Sequence, residues 1–96
     1  VKTIVAQIQP GVPVISFATG NPALISAMGE AGSAVVGVDW RVRLEAAWQT
    51  LGHRCAIQGN LDPTVLFAER DVIRQRVSKM LASVGGRQGH VFNLGH

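Results

Sequence analysis

The stretch "AVVGVDW", residues 34–40, decides the fold class. It is a short run of mostly β-branched apolar residues without polar alternation, as is typical of a strand buried on both faces of a parallel sheet. Asp39 and Trp40 follow the run directly. Polar groups at the carboxyl end of a buried strand indicate an α/β protein, because such proteins bind ligands at that edge of the sheet.

Three further runs of the same kind flank this one. We predict four strands, over residues 14–17, 34–38, 55–57 and 90–92. A helical pattern precedes each of the four strands. Right-handed crossovers convert such an alternation into a parallel sheet with helices outside it, either open or closed into a barrel. An open dinucleotide-binding sheet would need a glycine-rich loop, but "ATGNP" at 18–22 has one glycine where that fingerprint has three.

The helices between the strands have recognisable ends. For one helix, Asn21 is the predicted N-cap and Pro22 the first helical residue. The next helix ends at Gly52, and a third starts near Glu69 and ends at Gly85. An earlier helical region covers residues 2–9. We expect the apolar stripes to be core packing rather than cofactor contacts; their residues are Leu24, Ile25, Met28, Leu44, Ala47, Trp48, Leu51, Val72, Ile73, Val77, Met80, Leu81 and Val84.

Length and composition describe one small folded domain. A chain of 96 residues buries only about 60% of its unfolded surface, so its stability is marginal. With 47% hydrophobic and 16% charged residues, it lacks the composition of a disordered protein. The net charge of +3 includes one basic cluster, from Arg70 to Lys79. We interpret that cluster as solvated helix surface rather than a nucleic-acid site, and an anionic small-molecule partner fits the charge equally well.

The single cysteine, Cys55, allows no intrachain disulfide and gives no metal-ligand spacing, so we interpret it as buried packing. No stretch reaches the ~20 apolar residues that cross a bilayer. The first residues do not have the pattern of a secretion signal. We therefore expect no membrane association and a cytoplasmic location.

The polar residues after the predicted strands form the candidate site. They are Thr19, Asn21, Asp39, Trp40, Gln58, Asn60, Asn93 and His96. Each has a structural alternative, and for Asn21 and for Asp62 before Pro63 we favour helix capping. Asp39 is either a helix-initiating carboxylate or a site group. The amides do not titrate, so they fix a ligand or tie loops together.

His96 stands apart from these residues because imidazole donates, accepts or titrates near neutral pH. It follows Gly95, which lets backbone approach a ligand closely. No serine or cysteine nucleophile with an orienting carboxylate accompanies it, and no second ligand stands at metal spacing. From position alone, both a structural and a functional role remain open. We expect His53 and His90 to be surface or junction residues.

Three strings identify a family resemblance. "FATGNPALISAMGEAGSAVVGVDW" (17–40), "AIQGNLDPTVLFA" (56–68) and "GHVFNLGH" (89–96) together resemble the C-terminal half of the uroporphyrinogen decarboxylase family. The resemblance implies the C-terminal half of a TIM (β/α)8 barrel, with residues 1–96 as its last four strands and intervening helices. It also implies a homodimer that decarboxylates the four acetate groups of uroporphyrinogen III to give coproporphyrinogen III, without metal or organic cofactor.

The resemblance carries one substrate-binding residue onto this chain. His96 matches the family's histidine in the Asn-Leu-Gly-His string, where it pairs with a substrate carboxylate or helps manage protons. Asp39 and Asp62 match family motifs as rim and loop architecture rather than as the catalytic aspartate. That aspartate, the substrate-binding arginines and a cleft tyrosine belong to the family's first half, and the arginines of residues 70–79 do not match them.

A barrel of this type needs roughly 250 residues, so we expect the chain to be a fragment that is inactive alone. Two other interpretations remain. One is a non-catalytic half-barrel whose activity is association. The other is a cobalamin-dependent methyltransferase relative with zinc bound through His and Cys, which the position of Cys55 at the start of its strand disfavours.

Overall fold

The computed structural model describes residues 2–17, 19 and 23–96. Along the chain lie α1 (Lys2–Gln7), β1 (Ile15–Phe17), α2 (Leu24–Glu30), β2 (Val35–Gly37), α3 (Leu44–Thr50) and β3 (Ala56–Gln58). A 3-10 turn (Pro63–Phe67), α4 (Arg70–Val84) and β4 (His90–Val91) complete the order. The predicted strands are confirmed, with ends that differ by one residue. The predicted cap at Asn21 and Pro22 lies outside the described residues.

The described strands form one parallel sheet in the order β1-β2-β3-β4. Ile15 pairs with Val35, Val35 with Ala56, and Ile57 with His90, so each strand lies beside its neighbour in sequence. A doubly wound sheet would instead reverse its strand order and carry helices on both faces. The consecutive order therefore defines a singly wound α/β sheet, and the predicted α/β class is confirmed.

The core lies between one face of this sheet and the helices. Val36 and Ile57 are fully buried, and they pack with residues of α2, α3 and α4 in a single apolar cluster. Helix α2 contacts α3, and α3 contacts α4, so these three helices cover the same face side by side. Trp48 anchors the cluster, and its indole Nε1 donates to the carbonyl of Cys55 at 2.9 Å, which satisfies the buried N–H.

The other face of the sheet lies away from the helices that form the core cluster, which are α2, α3 and α4. Because side chains alternate along a strand, Ile15, Phe17 and Val91 point away from the core cluster. Their exposed fractions are 54%, 48% and 44%. These are large values for apolar strand residues, so this surface, here called the open sheet face, is an apolar surface without a covering layer.

The prediction that every apolar stripe residue packs in the core was wrong for three of them. Leu24 is 43% exposed, Val72 39% and Leu81 47%, and in α4 only Val84 is buried. A helix that packs against a sheet on one side and a neighbouring helix on the other buries only the stripe between them. On α4 the apolar residues extend around the helix beyond that contact.

Candidate functional site

The carboxyl ends of the four strands lie at one edge of the sheet, as the sequence predicted, since all described pairings are parallel. Three chain segments meet there: the segment after β2 with Asp39 to Val42, the segment after β3 with Gly59 to Asp62, and the segment after β4 with Phe92 to His96. We call this meeting point the three-segment junction. It contains the most specific strings of the sequence.

Backbone hydrogen bonds join the three segments into one ladder. Leu61 N donates to Asn93 O at 3.1 Å, Gly95 N donates to Leu61 O at 2.8 Å, and Trp40 N donates to Gly95 O at 3.1 Å. The last of these bonds connects the segment after β2 directly to the segment after β4. Because each bond uses main-chain atoms, the ladder depends on close approach of backbones more than on side-chain identity.

Glycine is required at Gly95 by that close approach. A Cβ atom added there would lie 2.5 Å from Trp40 N and 2.7 Å from Trp40 Cα. These distances are too short for the Cβ of any other residue, and backbone atoms of Trp40 cannot rotate out of the way as a side chain can. The close partner of Gly95 in this structure is the Trp40 backbone. That Gly95 also lets backbone approach a ligand stays a prediction.

Asn60 ties the segment after β2 to the segment after β3. Its side chain is 4% exposed, and Nδ2 donates to the carbonyl of Asp39 at 2.8 Å and also to that of Val42. An unpartnered buried carbonyl costs free energy, so these two bonds hold the turn that leads into α3. Of the two roles left open for the amides, Asn60 has the loop-tying one.

Asp39 is buried, with an exposed fraction of 3%, and both of its carboxylate oxygens are engaged. Oδ1 accepts from Arg41 N at 2.7 Å, and Oδ2 accepts from Arg41 Nη1 at 2.7 Å. A buried charge requires such a partner. The carboxylate therefore organises the turn before α3. It does not cap the helix itself, because the cap position is Arg43 and has no side-chain bond; a site role for Asp39 stays a prediction.

The Asp62 cap predicted from sequence is confirmed. Its Oδ1 accepts from Thr64 N at 2.9 Å and from the Thr64 hydroxyl at 2.8 Å, at the start of the 3-10 turn. These bonds, the backbone one first, lower the pKa of the Asp62 carboxyl. Asp62 is a structural residue of the junction.

His96 lies at the edge of the junction, directly after Gly95. Its side chain is exposed, and no described residue forms a hydrogen bond or ion pair with the imidazole. Asn93, on the same segment, is also exposed, whereas Gln58 is half-buried within β3, and Thr19 is exposed after β1. Among the described side chains of the junction, His96 and Arg41 are the exposed imidazole and guanidinium groups, and both can bind an anion.

His90 is the histidine whose role the sequence did not reveal. It lies within β4 rather than before it, is half-buried, and its Nε2 is 2.9 Å from the carbonyl oxygen of Gly59. The prediction that His90 is a surface or junction residue was therefore incomplete, because its contact with Gly59 connects β4 to the end of β3. Its counterpart His53 is exposed, with a φ of 55° in the turn after α3.

Cys55 is half-buried beside the core cluster and comes just before β3, at the edge of the sheet opposite the junction. Burial raises the pKa of its thiol, and the nearby Arg54 offsets part of that effect. Within residues 2–17, 19 and 23–96, no three His, Cys, Asp or Glu side chains cluster closely enough to hold a metal ion. None of the described helices is long and apolar enough to span a bilayer.

Comparison with known proteins gives a consistent result over the whole chain. The sequence model described as Uroporphyrinogen decarboxylase (URO-D) matches residues 1–96. Uroporphyrinogen decarboxylase of Carboxydothermus hydrogenoformans is 51% identical over 88 residues, which are 92% of this chain and 25% of that protein. The enzyme of Sorangium cellulosum is 54% identical over 86 residues, or 90% of this chain and 25% of that protein.

A third relative, uroporphyrinogen decarboxylase of Streptomyces coelicolor, is 51% identical over 86 residues, which cover 90% of this chain and 24% of the relative. The chain thus spans about a quarter of the length of these curated proteins. The family match covers every element of the sheet and all three segments of the junction. The chain belongs to the uroporphyrinogen decarboxylase family.

Proposed function

We propose that this chain is the last-four-strand part of a (β/α)8 barrel enzyme, uroporphyrinogen decarboxylase. The complete enzyme removes the four acetate carboxyl groups of uroporphyrinogen III, without a cofactor, and yields coproporphyrinogen III. The observation that carries the proposal is the convergence of the family's three strings on one edge of the sheet, in a chain that belongs to that family. Ligands of βα barrels bind at this edge.

The arrangement of strands and helices supports the barrel part of this proposal. A (β/α)8 barrel has consecutive parallel neighbours and helices on the outer face alone, and the described sheet has both features. The open sheet face, with Ile15, Phe17 and Val91, then corresponds to the barrel interior. In the proposed complete enzyme, side chains from the other strands of the barrel cover these apolar residues.

Within the proposed site, His96 binds a substrate carboxylate or assists proton transfer. Its exposure at the junction supports this role, since an imidazole without an internal partner is available to a ligand. Asp39 and Asp62 hold the loops, which agrees with their assignment to architecture, and the Asn60 side chain also holds them. The catalytic aspartate and the family's substrate arginines lie outside this chain, and the complete enzyme works as a cytoplasmic homodimer.

We expect the purified 96-residue chain to form no coproporphyrinogen from uroporphyrinogen, and the full-length protein to form it. The physical reason is that stabilising charge at the reacting pyrrole needs groups that the chain lacks. Products are separated by chromatography after oxidation to the fluorescent porphyrins. Decarboxylation by the chain alone would contradict its assignment as an incomplete site, and its absence from the full-length protein would contradict the proposed function.

An association module is the second candidate function, and the open sheet face favours it. We expect the isolated chain to self-associate, because among the described residues β1 and β4 are edge strands, each paired on one side only, beside an apolar surface. In size-exclusion chromatography, Phe17→Lys should shift the chain toward the monomer by charging the open sheet face. Phe67→Lys is the control, since Phe67 is 92% exposed and belongs to the 3-10 turn rather than to a strand of that face.

A wild-type chain that elutes as a stable monomer would contradict the expected association. So would a result in which Phe67→Lys, but not Phe17→Lys, restores the monomer, because the contact would then involve the 3-10 turn. If the isolated chain associates and the full-length protein is an active decarboxylase, the open sheet face is the surface that packs inside the complete barrel, and association is not a separate function.

A further inference from the structure

Arg41 is the exposed cation of the three-segment junction, and its position is fixed from two sides. Its backbone N and its Nη1 bind the two oxygens of the buried Asp39, each at 2.7 Å. Its Cζ lies 4.9 Å from the ring centroid of Trp40, which covers one face of the guanidinium. The side chain is nevertheless 56% exposed. Such a combination of restraint and exposure is unusual for a surface arginine, whose long side chain normally moves freely.

The guanidinium has hydrogen-bonding capacity to spare. Arginine carries five N–H donors in a planar fork, and in this structure only Nη1 has an acceptor among the described residues. The remaining donors form the geometry that binds a carboxylate through two parallel bonds. Asp39 balances part of the charge of Arg41, so the exposed guanidinium contributes hydrogen-bond direction as well as electrostatic attraction to binding.

The ladder of the junction brings Arg41 close to the segment of His96. Trp40 N donates to Gly95 O at 3.1 Å, and Arg41 and His96 are the residues that follow those two. Both side chains are exposed at the same edge of the sheet. We propose that Arg41 is a second carboxylate-binding residue of this edge, which acts on the same substrate as His96. The proposal rests on the proposed function, because a decarboxylase by definition binds a carboxylate.

The test is made on the full-length protein with uroporphyrinogen as substrate. Arg41→Gln removes the charge and the fork, and we expect KM to rise about tenfold while kcat stays within about twofold, as for loss of one charge-assisted contact. The dependence of kcat/KM on ionic strength should become shallower, because the exposed ion pair between Arg41 and a substrate carboxylate is lost. Arg43→Gln is the matched control: an exposed arginine two positions on, at the start of α3, whose loss should change neither quantity.

If Arg41 only holds the loop, Arg41→Gln should leave the dependence of kcat/KM on ionic strength unchanged, because loss of a loop contact does not alter the salt dependence of substrate binding. Arg41→Lys keeps a charge, so it should retain the salt dependence and recover part of KM. If Arg41→Gln unfolds because Asp39 is left unpaired, the double variant Asp39→Asn/Arg41→Gln removes both charges and is measured instead. Unchanged KM and salt dependence in an active protein would overturn the role of Arg41 alone, whereas an inactive wild type would overturn the proposed function.

Discussion

Replacing Gly95 by alanine is expected to lower the free energy of unfolding by about 3 kcal/mol, near the upper end of the usual cost of overpacking. The added Cβ would lie 2.5 Å from Trp40 N and 2.7 Å from Trp40 Cα, so backbone has to move. That movement also breaks the bond from Trp40 N to Gly95 O, which joins the segments after β2 and β4. Urea unfolding of the full-length protein measures the change.

Gly85→Ala is the control for this experiment. Gly85 adopts a φ of 62° at the end of α4, and an added Cβ would meet nothing within 4 Å. Its replacement therefore costs only the left-handed conformation, about 1 kcal/mol. If Gly95→Ala is no more destabilising than Gly85→Ala, the close contact with Trp40 does not hold the junction together.

His96→Asn is expected to reduce kcat/KM for uroporphyrinogen by about 10- to 100-fold, in the range of one lost charge-assisted bond or proton-transfer group. Asparagine keeps hydrogen-bonding atoms but carries no charge and transfers no proton. Stability should change by less than about 0.5 kcal/mol, because the imidazole is exposed without a partner among the described residues. Steady-state kinetics and thermal unfolding of the full-length variant give the two values.

His53→Asn is the matched control for His96→Asn. His53 is also an exposed histidine, it lies in the turn before β3 at the opposite edge of the sheet, and asparagine tolerates its positive φ. We expect this variant to keep full activity. If kcat/KM of His96→Asn is unchanged, or falls equally in both variants, His96 does not act on the substrate.

The strands were predictable because each one is encoded locally. Val36 and Ile57 occupy short apolar runs that have no polar alternation, and such runs form strands in parallel sheets. The end of α4 was equally local, since Gly85 adopts the left-handed conformation that the sequence suggested. Val72 and Leu81 were assigned wrongly to the core because burial depends on which neighbours a helix meets, and that information lies elsewhere in the chain.

The junction was predictable as a location but not in its contacts. Asp39 and Asn60 were correctly expected at the carboxyl edge of the sheet, yet their partners depend on how three distant segments meet. Arg41 was missed even though a local signal was present: an aspartate two residues before an arginine can bind both its backbone N and its guanidinium. His90 carries no comparable signal, because its partner, the carbonyl of Gly59, is 31 positions away.

The consecutive strand order has a consequence for how this part of the protein folds. Ile15 and Val35 are 20 positions apart, Val35 and Ala56 are 21 apart, and Ile57 and His90 are 33 apart. Each strand pairing therefore closes a loop that holds one crossover, and the entropic cost of closing such a loop grows only slowly with its length. In a sheet with this order, each strand pairs with the strand that precedes it in the chain, so no pairing has to wait for a strand further along.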